Sequence, residues 1–483
     1  MYGAWRTERI SEAERRLFTR VPQSAVMRRA AFAVATQAAA MLVERGAGVA
    51  GRRVTLLVGA GNNGGDALWA GAFLRRRGAA VTAVLLNPEK AHTEGLAALR
   101  SAGGRVAVDP ERAIAGADLV IDGIVGLSAR GPLRPRAAAL VERITVPVLA
   151  VDLPSGTDPN TGVVTGPAVR AHTTVTFGGR KPVHVLGEGA IRSGRVQVVD
   201  IGFDGDLPEP DLMLLEAGDV GAAWPVPRPD DDKYSQGVTG LAAGSETYPG
   251  AAVLSTGGAV LATSGMVRFA GSVADVVRAR WPEVIATGSI TDTGRVQSWV
   301  VGPGLGTGEV ARTVLRQILD MGVPVCADAD AITVLGTAPE VLDARQPDTP
   351  LVLTPHAGEF TRLAGELGAD RVAAACDAAR RFNAVLLLKG YTTVVAAPDG
   401  RVLVNPARSA WPATAGSGDV LSGIIGALLA SGLDPWLAAG CAAFVHSLAA
   451  DIAAGGAPAP ASELLEAIPS AIRDVRCATG HIC

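Results

Sequence analysis

Several short stretches set reactive side chains beside glycine. Near the C-terminus, ATAGSGDVLSG (413–423) places Gly416, Ser417 and Gly418 directly before Asp419, where a helical pattern begins. An aspartate at a helix start can simply cap it. A glycine turn there also makes an anion hole of backbone amides at a positive dipole end. Glycines on both sides of Ser417 exceed what a cap needs and suit the close approach of a phosphate. Asp419 is therefore expected both to cap the helix and, chiefly, to take a proton from a hydroxyl attacking a phosphoryl group. No GxxxxGK[ST] occurs, so this is not a Walker P-loop.

Other strand-end stretches keep company with that turn. LLLKGYTTVV (386–395) offers Lys389 and Gly390, LTPHAGEF (353–360) offers His356 and Glu359, and VVGPGLG (300–306) and AAGSETYPGAA (242–252) add glycine turns. Taken singly, His356 reads equally as a helix cap or a ligand, and Lys389 as a strand-end surface charge.

In the first half, VTLLVGAGNNGGDALWAG reads strand, glycine turn, helix. Gly59, Gly61 and Gly64 satisfy G-x-G-x-x-G, but Asn87 stands where a dinucleotide fold wants an acid. The surplus polarity of NNGGD exceeds the needs of a phosphate turn. VIDGIVG ends a strand with Asp122, and LAVDLPSGTD ends another with Asp152. In a doubly wound sheet such ends gather at one crevice. Asn63, Asp122 and Ser155 would bring only oxygen there, which suits a hard cation and not zinc. Each motif alone also reads as a cap or turn; three converging at one edge favour a site.

These residues need a scaffold of parallel strands, and the chain supplies one twice. With 483 residues, two or more domains are expected. Apolar runs alternate with helical patterns throughout. Segments 52–58, 79–86, 117–124, 146–153, 173–177 and 195–201 read as strands of a first α/β unit. A helical opening segment is broken near Pro22. From Asp204 to Asp232 acidic, proline-rich sequence reads as a linker, with a boundary near residue 210. Runs at 240–245, 297–306, 323–330, 350–359, 384–390, 392–398 and 401–405 read as a second series. The domains are thus 1–210 and 211–483.

Hydrophobic residues make up 48% of the chain and the net charge is −3, with no basic block that suggests nucleic acid. The five cysteines all lie from Cys326 onward without CxxC spacing, arguing against a disulfide framework and against zinc. The N-terminus lacks an apolar signal core, and the stretch 251–267 is too broken by Ser, Thr and Gly to span a membrane. A cytoplasmic protein is expected.

GNNGGD, IDGIVG with its loop, VDLPSG and FGGRKP (177–182) together resemble the NAD(P)HX epimerase domain, over about residues 10–203. The resemblance implies a Rossmann-like fold that binds hydrated NAD(P)H across Asn62, Asn63, Gly64, Gly65 and Asp66 and the loop Gly126, Leu127, Ser128, Ala129, Arg130, Gly131 and Pro132. It implies K⁺ at Asn63, Asp122 and Ser155, Asp152 as the acid–base group and also a substrate contact, and Lys181 in or near the site. Ala67 after Asp66, and Ala129 and Gly131 around Arg130, depart from the family pattern.

GSETYPGAA, GPGLG, TPHAGEF, LLKG and ATAGSGDVLSGIIGALLASG resemble the ADP-dependent NAD(P)HX dehydratase, a ribokinase-like domain, over about residues 212–475. This implies nucleotide contacts from Lys389, Gly390, Tyr391, Thr392, Thr393 and Gly418. Asp419 would be the catalytic base, with Ala251, Gly304 and His356 lining the hydrated-dinucleotide site. Mg²⁺ and ADP would serve the phosphoryl step. NADHX, NADPHX and ADP are the implied partners, with no nucleic acid and no membrane, and related repair enzymes imply a homo-oligomer. The rival readings are a ribokinase-like kinase of a vitamin-type alcohol with a regulatory N-terminal nucleotide-binding module, and a non-enzymatic nucleotide sensor or scaffold.

Overall fold

The computed structural model describes residues 1–480 apart from 45, 47, 129, 204 and 264. It divides into two compact units, Gly3–Leu212 and Met213 to the C-terminal end, the latter joined by Met1 and Tyr2. Both are α/β.

The first unit is built on a parallel sheet whose spatial order is Arg105–Val106, Ala80–Leu85, Arg53–Val58, Leu119–Gly123, Val148–Val151, Thr173–Phe177 and Arg195–Val199. Its strands are nearly continuous apolar runs because both faces are covered. Leu56, Leu119, Ile121 and Leu149 pack on one face in a cluster that includes residues of helices Thr7–Phe18, Gln23–Glu44 and Asn62–Arg76. Leu57, Val120 and Ala150 pack on the other with residues of helices Pro110–Ala115 and Pro135–Val141. The strand order reverses between Arg53–Val58 and Leu119–Gly123, so the two chain segments diverge there and leave a crevice. Gly59 makes the junction. A Cβ at that position would lie 1.8 Å from the Ile124 carbonyl oxygen.

The second unit has a long sheet, parallel from Val385–Leu388 through Leu351–Leu353, Val325–Ala327, Ser298–Val301, Val238–Ala242 and Met266–Ala270 to Ile285–Thr287. Thr392–Ala396 and Val402–Pro406 continue it antiparallel. Met266–Ala270 and Ile285–Thr287 lie outside the expected strands. The first follows a small-residue helix that masks it, and the second is three residues long. The stretch read as linker is also partly structured. Helix Ala217–Ala223 sits in it, with Val220 fully buried and Trp224 beside it at 4% exposure.

Two helices, Gln23–Glu44 and Pro435–Ala454, are apolar and long enough to cross a membrane by length and composition. Most of each is buried within its own unit. Cys326 and Cys441 are buried free thiols, whereas Cys477 is disulfide-bonded. An odd cysteine count argues against a framework but does not exclude a single bond.

Helix Ser417–Ala430, which carries Asp419, is fixed by a close crossing with helix Pro249–Ala262. A Cβ on Gly423 would lie 2.1 Å from the Ser255 carbonyl oxygen, and one on Gly258 would lie 2.4 Å from that of Val420. Backbone atoms cannot yield as a side-chain tip would. Gly423→Ala is expected to destabilise the second unit by roughly 1–3 kcal/mol, as overpacked cores do, measured as a lowered urea midpoint.

Candidate functional sites

In the first unit a cleft of about 970 Å³ opens at the strand-order reversal. Its rim is mostly basic, Arg15, Lys90, Arg130, Arg134 and Arg136, with Glu8 beside Arg130. Its floor is acidic: Glu14, Asp66 and Asp152. Such a cleft suits a long anionic ligand with a reacting end buried among carboxyls.

Asp152 follows its strand at φ +68°, a left-handed conformation that side chains other than glycine rarely adopt. Its surroundings hold it there. Lys181 Nζ donates to Asp152 Oδ1 at 2.5 Å, to Thr176 Oγ1 at 2.8 Å and to the Phe177 carbonyl at 3.1 Å. Thr176 Oγ1 donates to the same carboxylate oxygen at 2.9 Å. Lys181 is 1% exposed, so this ion pair lies out of water. His184 locks the turn. Its Nδ1 accepts from the Lys181 amide, so Nε2–H donates to the Asp152 carbonyl at 2.8 Å. Burial, then the Lys181 charge, pushes its pKa down to about 3, keeping the ring neutral.

Beside this pair the other carboxyls are raised by burial. Burial, with the charges of Asp152 and Glu14, raises the Asp66 pKa well above the usual range, and Asp66 Oδ1 is buried without a hydrogen bond. Burial raises Glu14 to about 7, with Lys181 opposing and Asp152 adding to the rise.

Asn63, Asp122 and Ser155 do come together. Asp122 accepts from Ser155 Oγ at 2.7 Å, the Ser155 amide at 2.8 Å and the Ile124 amide at 3.2 Å. All these donors are neutral, and burial raises the carboxyl to about 6. Asn63 Nδ2 donates to the Val125 and Val151 carbonyls at 2.8 and 2.7 Å. Its carbonyl oxygen points to Gly126, where an added Cβ would sit 2.6 Å away.

In the second unit Lys389 has the same part that Lys181 has in the first. Its Nζ donates to Asp328 Oδ1 at 2.7 Å and lies 3.7 Å from Glu359 Oε2. Burial alone would pull its pKa down, but Asp328, Glu359 and Asp419 more than offset that and hold it above the usual value. Ser422 Oγ donates to the other Asp328 oxygen at 2.6 Å. Asp328 is 1% exposed.

Helix Ser417–Ala430 starts at Gly416, which is left-handed at φ +86°, and it has no side-chain cap. The capping half of the Asp419 expectation is thereby corrected. Asp419 is the third helical residue and its carboxyl is left for other work. Burial, then the Asp328 charge, raises it to about 7, with Lys389 opposing. A base poised near neutrality suits proton abstraction. His446 steadies the turn by donating from Nε2 to the Ser417 carbonyl at 2.9 Å. Burial drops its pKa to about 4, so the ring is neutral. An added Cβ on Gly418 would lie 3.4 Å from Lys389 Nζ, and one on Gly304 would lie 2.8 Å from the Ala251 Cβ. Gly418 thus faces the lysine, and Gly304 adjoins Ala251.

Two family models match this chain: YjeF-related protein N-terminus over residues 23–183, and NAD(P)H-hydrate dehydratase over residues 239–470. A bifunctional NAD(P)H-hydrate repair enzyme of Mycobacterium leprae is 54% identical over 472 residues, 96% of this chain and 98% of that protein. The chain belongs to the bifunctional NAD(P)H-hydrate repair enzymes. A member from Mycobacterium tuberculosis is 57% identical over 88% of either chain. An ADP/ATP-dependent NAD(P)H-hydrate dehydratase from Bacillus subtilis, co-crystallised with ATP and Mg²⁺, is similar at 28% identity. It covers 54% of this chain and 97% of that one, with a TM-score of 0.49.

Within this repair-enzyme fold, Asn62, Asn63, Asp66, Asp152 and the loop residues Gly126, Leu127, Ser128, Arg130, Gly131 and Pro132 line one cleft. Ala129 lies outside the described residues. Gly64 and Gly65 are buried in helix Asn62–Arg76 behind the turn. His356 is a helix cap, its Nδ1 accepting from the Gly358 and Glu359 amides at 3.0 and 3.2 Å, while Glu359 Oε2 accepts from the His356 amide at 2.8 Å. Tyr391 is exposed and Thr392 is buried. Arg371 Nη2 donates to the Lys389 carbonyl at 3.0 Å, beside Gly390.

Sequence reading passed over Glu14, Thr176, His184, Asp328 and Ser422. Asp328 carried a usable signal, since ADAD ends a strand as Asp122 and Asp152 do. Burial raises Asp419 most and the Asp328 charge adds to it, so Asp328→Asn should move the acid limb of dehydration to lower pH. With Asp419 as the base, it has to be ionised to accept a proton, so dehydration by the parent chain is expected to fall below about pH 7. A pH profile of kcat/KM checks this.

Proposed function

We propose that the chain repairs hydrated NAD(P)H in two steps, with the epimerase in residues 1–210 and the dehydratase in residues 211–483. The single observation that carries this is that both units of one repair-enzyme chain set a buried or half-buried lysine in an ion pair with a strand-end aspartate, Lys181 with Asp152 and Lys389 with Asp328.

The substrate carries a hydroxyl on C6 of a reduced nicotinamide ring. In the dehydratase reading, Asp419 takes the proton of that hydroxyl as its oxygen attacks the terminal phosphoryl group of ADP, releasing AMP. Phosphate then leaves C6 with its bonding pair and C5 loses a proton, restoring the ring double bond. Lys389, with Gly390, Tyr391, Thr392, Thr393 and Gly418, would hold the nucleotide, the lysine charge meeting phosphate. Ala251, Gly304 and His356 would flank the dinucleotide. Mg²⁺, which neutralises phosphate charge, would arrive with ADP. Among the described residues no group of three or more His, Cys, Asp or Glu forms a ready cage.

In the epimerase reading, the basic rim meets the pyrophosphate and the ring enters the acidic floor. Asn62 to Asp66 and the 126–132 loop would seat the substrate, and Asp152, fixed by Lys181, would exchange protons with it. Asn63, Asp122 and Ser155 would hold K⁺ in the epimerase site and supply positive charge there. The fit rests on a buried Asp122 whose hydrogen-bond donors are all neutral. A cytoplasmic homo-oligomer completes the proposal. The two apolar helices, mostly buried in their own units, support a soluble chain.

The test offers both epimers of hydrated NADH with ADP, with ATP and with neither, following the return of dihydronicotinamide absorbance. Full recovery with ADP is expected. Recovery of one epimer only would remove the epimerase, and no recovery would return the alcohol-kinase reading.

A further inference from the structure

The N-terminal helix Thr7–Phe18 buries Thr7, Ile10, Ala13 and Leu17 against the sheet. Glu14 lies between Ile10 and Leu17 on the 3–4 spacing that faces inward. A carboxyl on such a stripe is costly unless something uses it. No hydrogen bond or ion pair engages it among the described residues. It lines the cleft floor together with Asp66 and Asp152, and it lies before the segment 23–183 that the family model matches.

We propose that Glu14 is the second acid–base group of the epimerisation, working opposite Asp152 across the nicotinamide ring. This rests on the epimerase reading above. Inverting C6 by loss and return of water needs one group to give a proton and another to take one. Asp152 is fixed by its 2.5 Å ion pair with Lys181 and is suited to accept. Glu14, raised to about 7, still carries a proton in much of the population at neutral pH and is suited to donate. The groups facing it are Lys181 and Asp152 from the strand-end loops and Asp66 from helix Asn62–Arg76, with Arg15 beside it at the rim. Asp66 is buried deeper, which pushes its carboxyl well above the usual carboxylate range, and its Oδ1 has no hydrogen-bond partner.

The steps balance. The N1 lone pair forms the C6=N1 bond as the C6–O bond breaks, and the Glu14 proton converts the departing hydroxyl to water. Water then adds to C6 from the opposite face, its proton passes to Asp152, and the C6=N1 π pair returns to N1. Exchange with solvent through the open cleft resets both carboxyls. The reverse assignment of donor and acceptor converts the other epimer.

The test uses the full chain with mixed epimers and ADP. The fast phase reports dehydration of one epimer, and the slow phase reports epimerisation of the rest. Glu14→Gln should slow the second phase by about 10²–10⁴-fold, the usual worth of an acid–base group, and Glu14→Asp should retain intermediate activity. The parent slow phase should decline above about pH 7, as Glu14 loses its proton, and that limb should vanish in Glu14→Gln. An unchanged slow phase with the limb intact would overturn the proposal. Should Glu14→Gln fail to fold, a parent profile without an alkaline limb would overturn it alone. Failure of the epimerase reading looks different: the parent itself would show no slow phase faster than buffer.

Discussion

A carboxylate taken out of water has to find a cation, a set of hydrogen-bond donors or a proton, because burying an uncompensated charge costs several kcal/mol. Each unit of this protein buries more carboxylates than lysines at its site. In the first, Lys181 satisfies Asp152, which leaves Asp66 and Glu14 raised by burial and Asp122 to rely on neutral donors. In the second, Lys389 and Ser422 satisfy Asp328, and Asp419 is pushed up to about 7. That imbalance poises Glu14 and Asp419 for proton exchange near neutral pH.

The backbone makes the crowding permanent. Parallel strands deliver their C-terminal ends to one edge of each sheet, so Asp122 and Asp152 arrive there in the first unit and Asp328 does so in the second. Glycine lets neighbouring segments close around them: Gly59 against Ile124, and the Gly258–Gly423 crossing beneath Asp419. Neutral histidines then tie the turns, His184 at Asp152 and His446 at Ser417. The left-handed Asp152 backbone is strain that such ties can hold.

The strands that matter were legible because a sheet covered on both faces leaves continuous apolar runs ended by glycine. Asp152, Asp122 and Asp419 stood out for the same reason: each follows such a run or opens a glycine turn. Met266–Ala270 was hidden behind a small-residue helix whose composition blends into the strand. Helix Ala217–Ala223 was hidden by proline on both sides. Glu14 was not legible, because a glutamate among SEAERR looks solvated until the helix face is known. Asp419 is not the cap, because the left-handed Gly416 takes the N-cap position and leaves Asp419 as the third helical residue.

The central claim is that two independent carboxyl–lysine sites act in sequence on one substrate. Trans-complementation tests it most directly. Asp152→Asn and Asp419→Asn chains are prepared separately and given mixed epimers of hydrated NADH with ADP. Asp152→Asn alone should recover one epimer, and Asp419→Asn alone should recover none. The mixture should recover the whole pool ahead of spontaneous epimerisation. A mixture that recovers no more than Asp152→Asn alone, or any recovery by Asp419→Asn, would contradict the account.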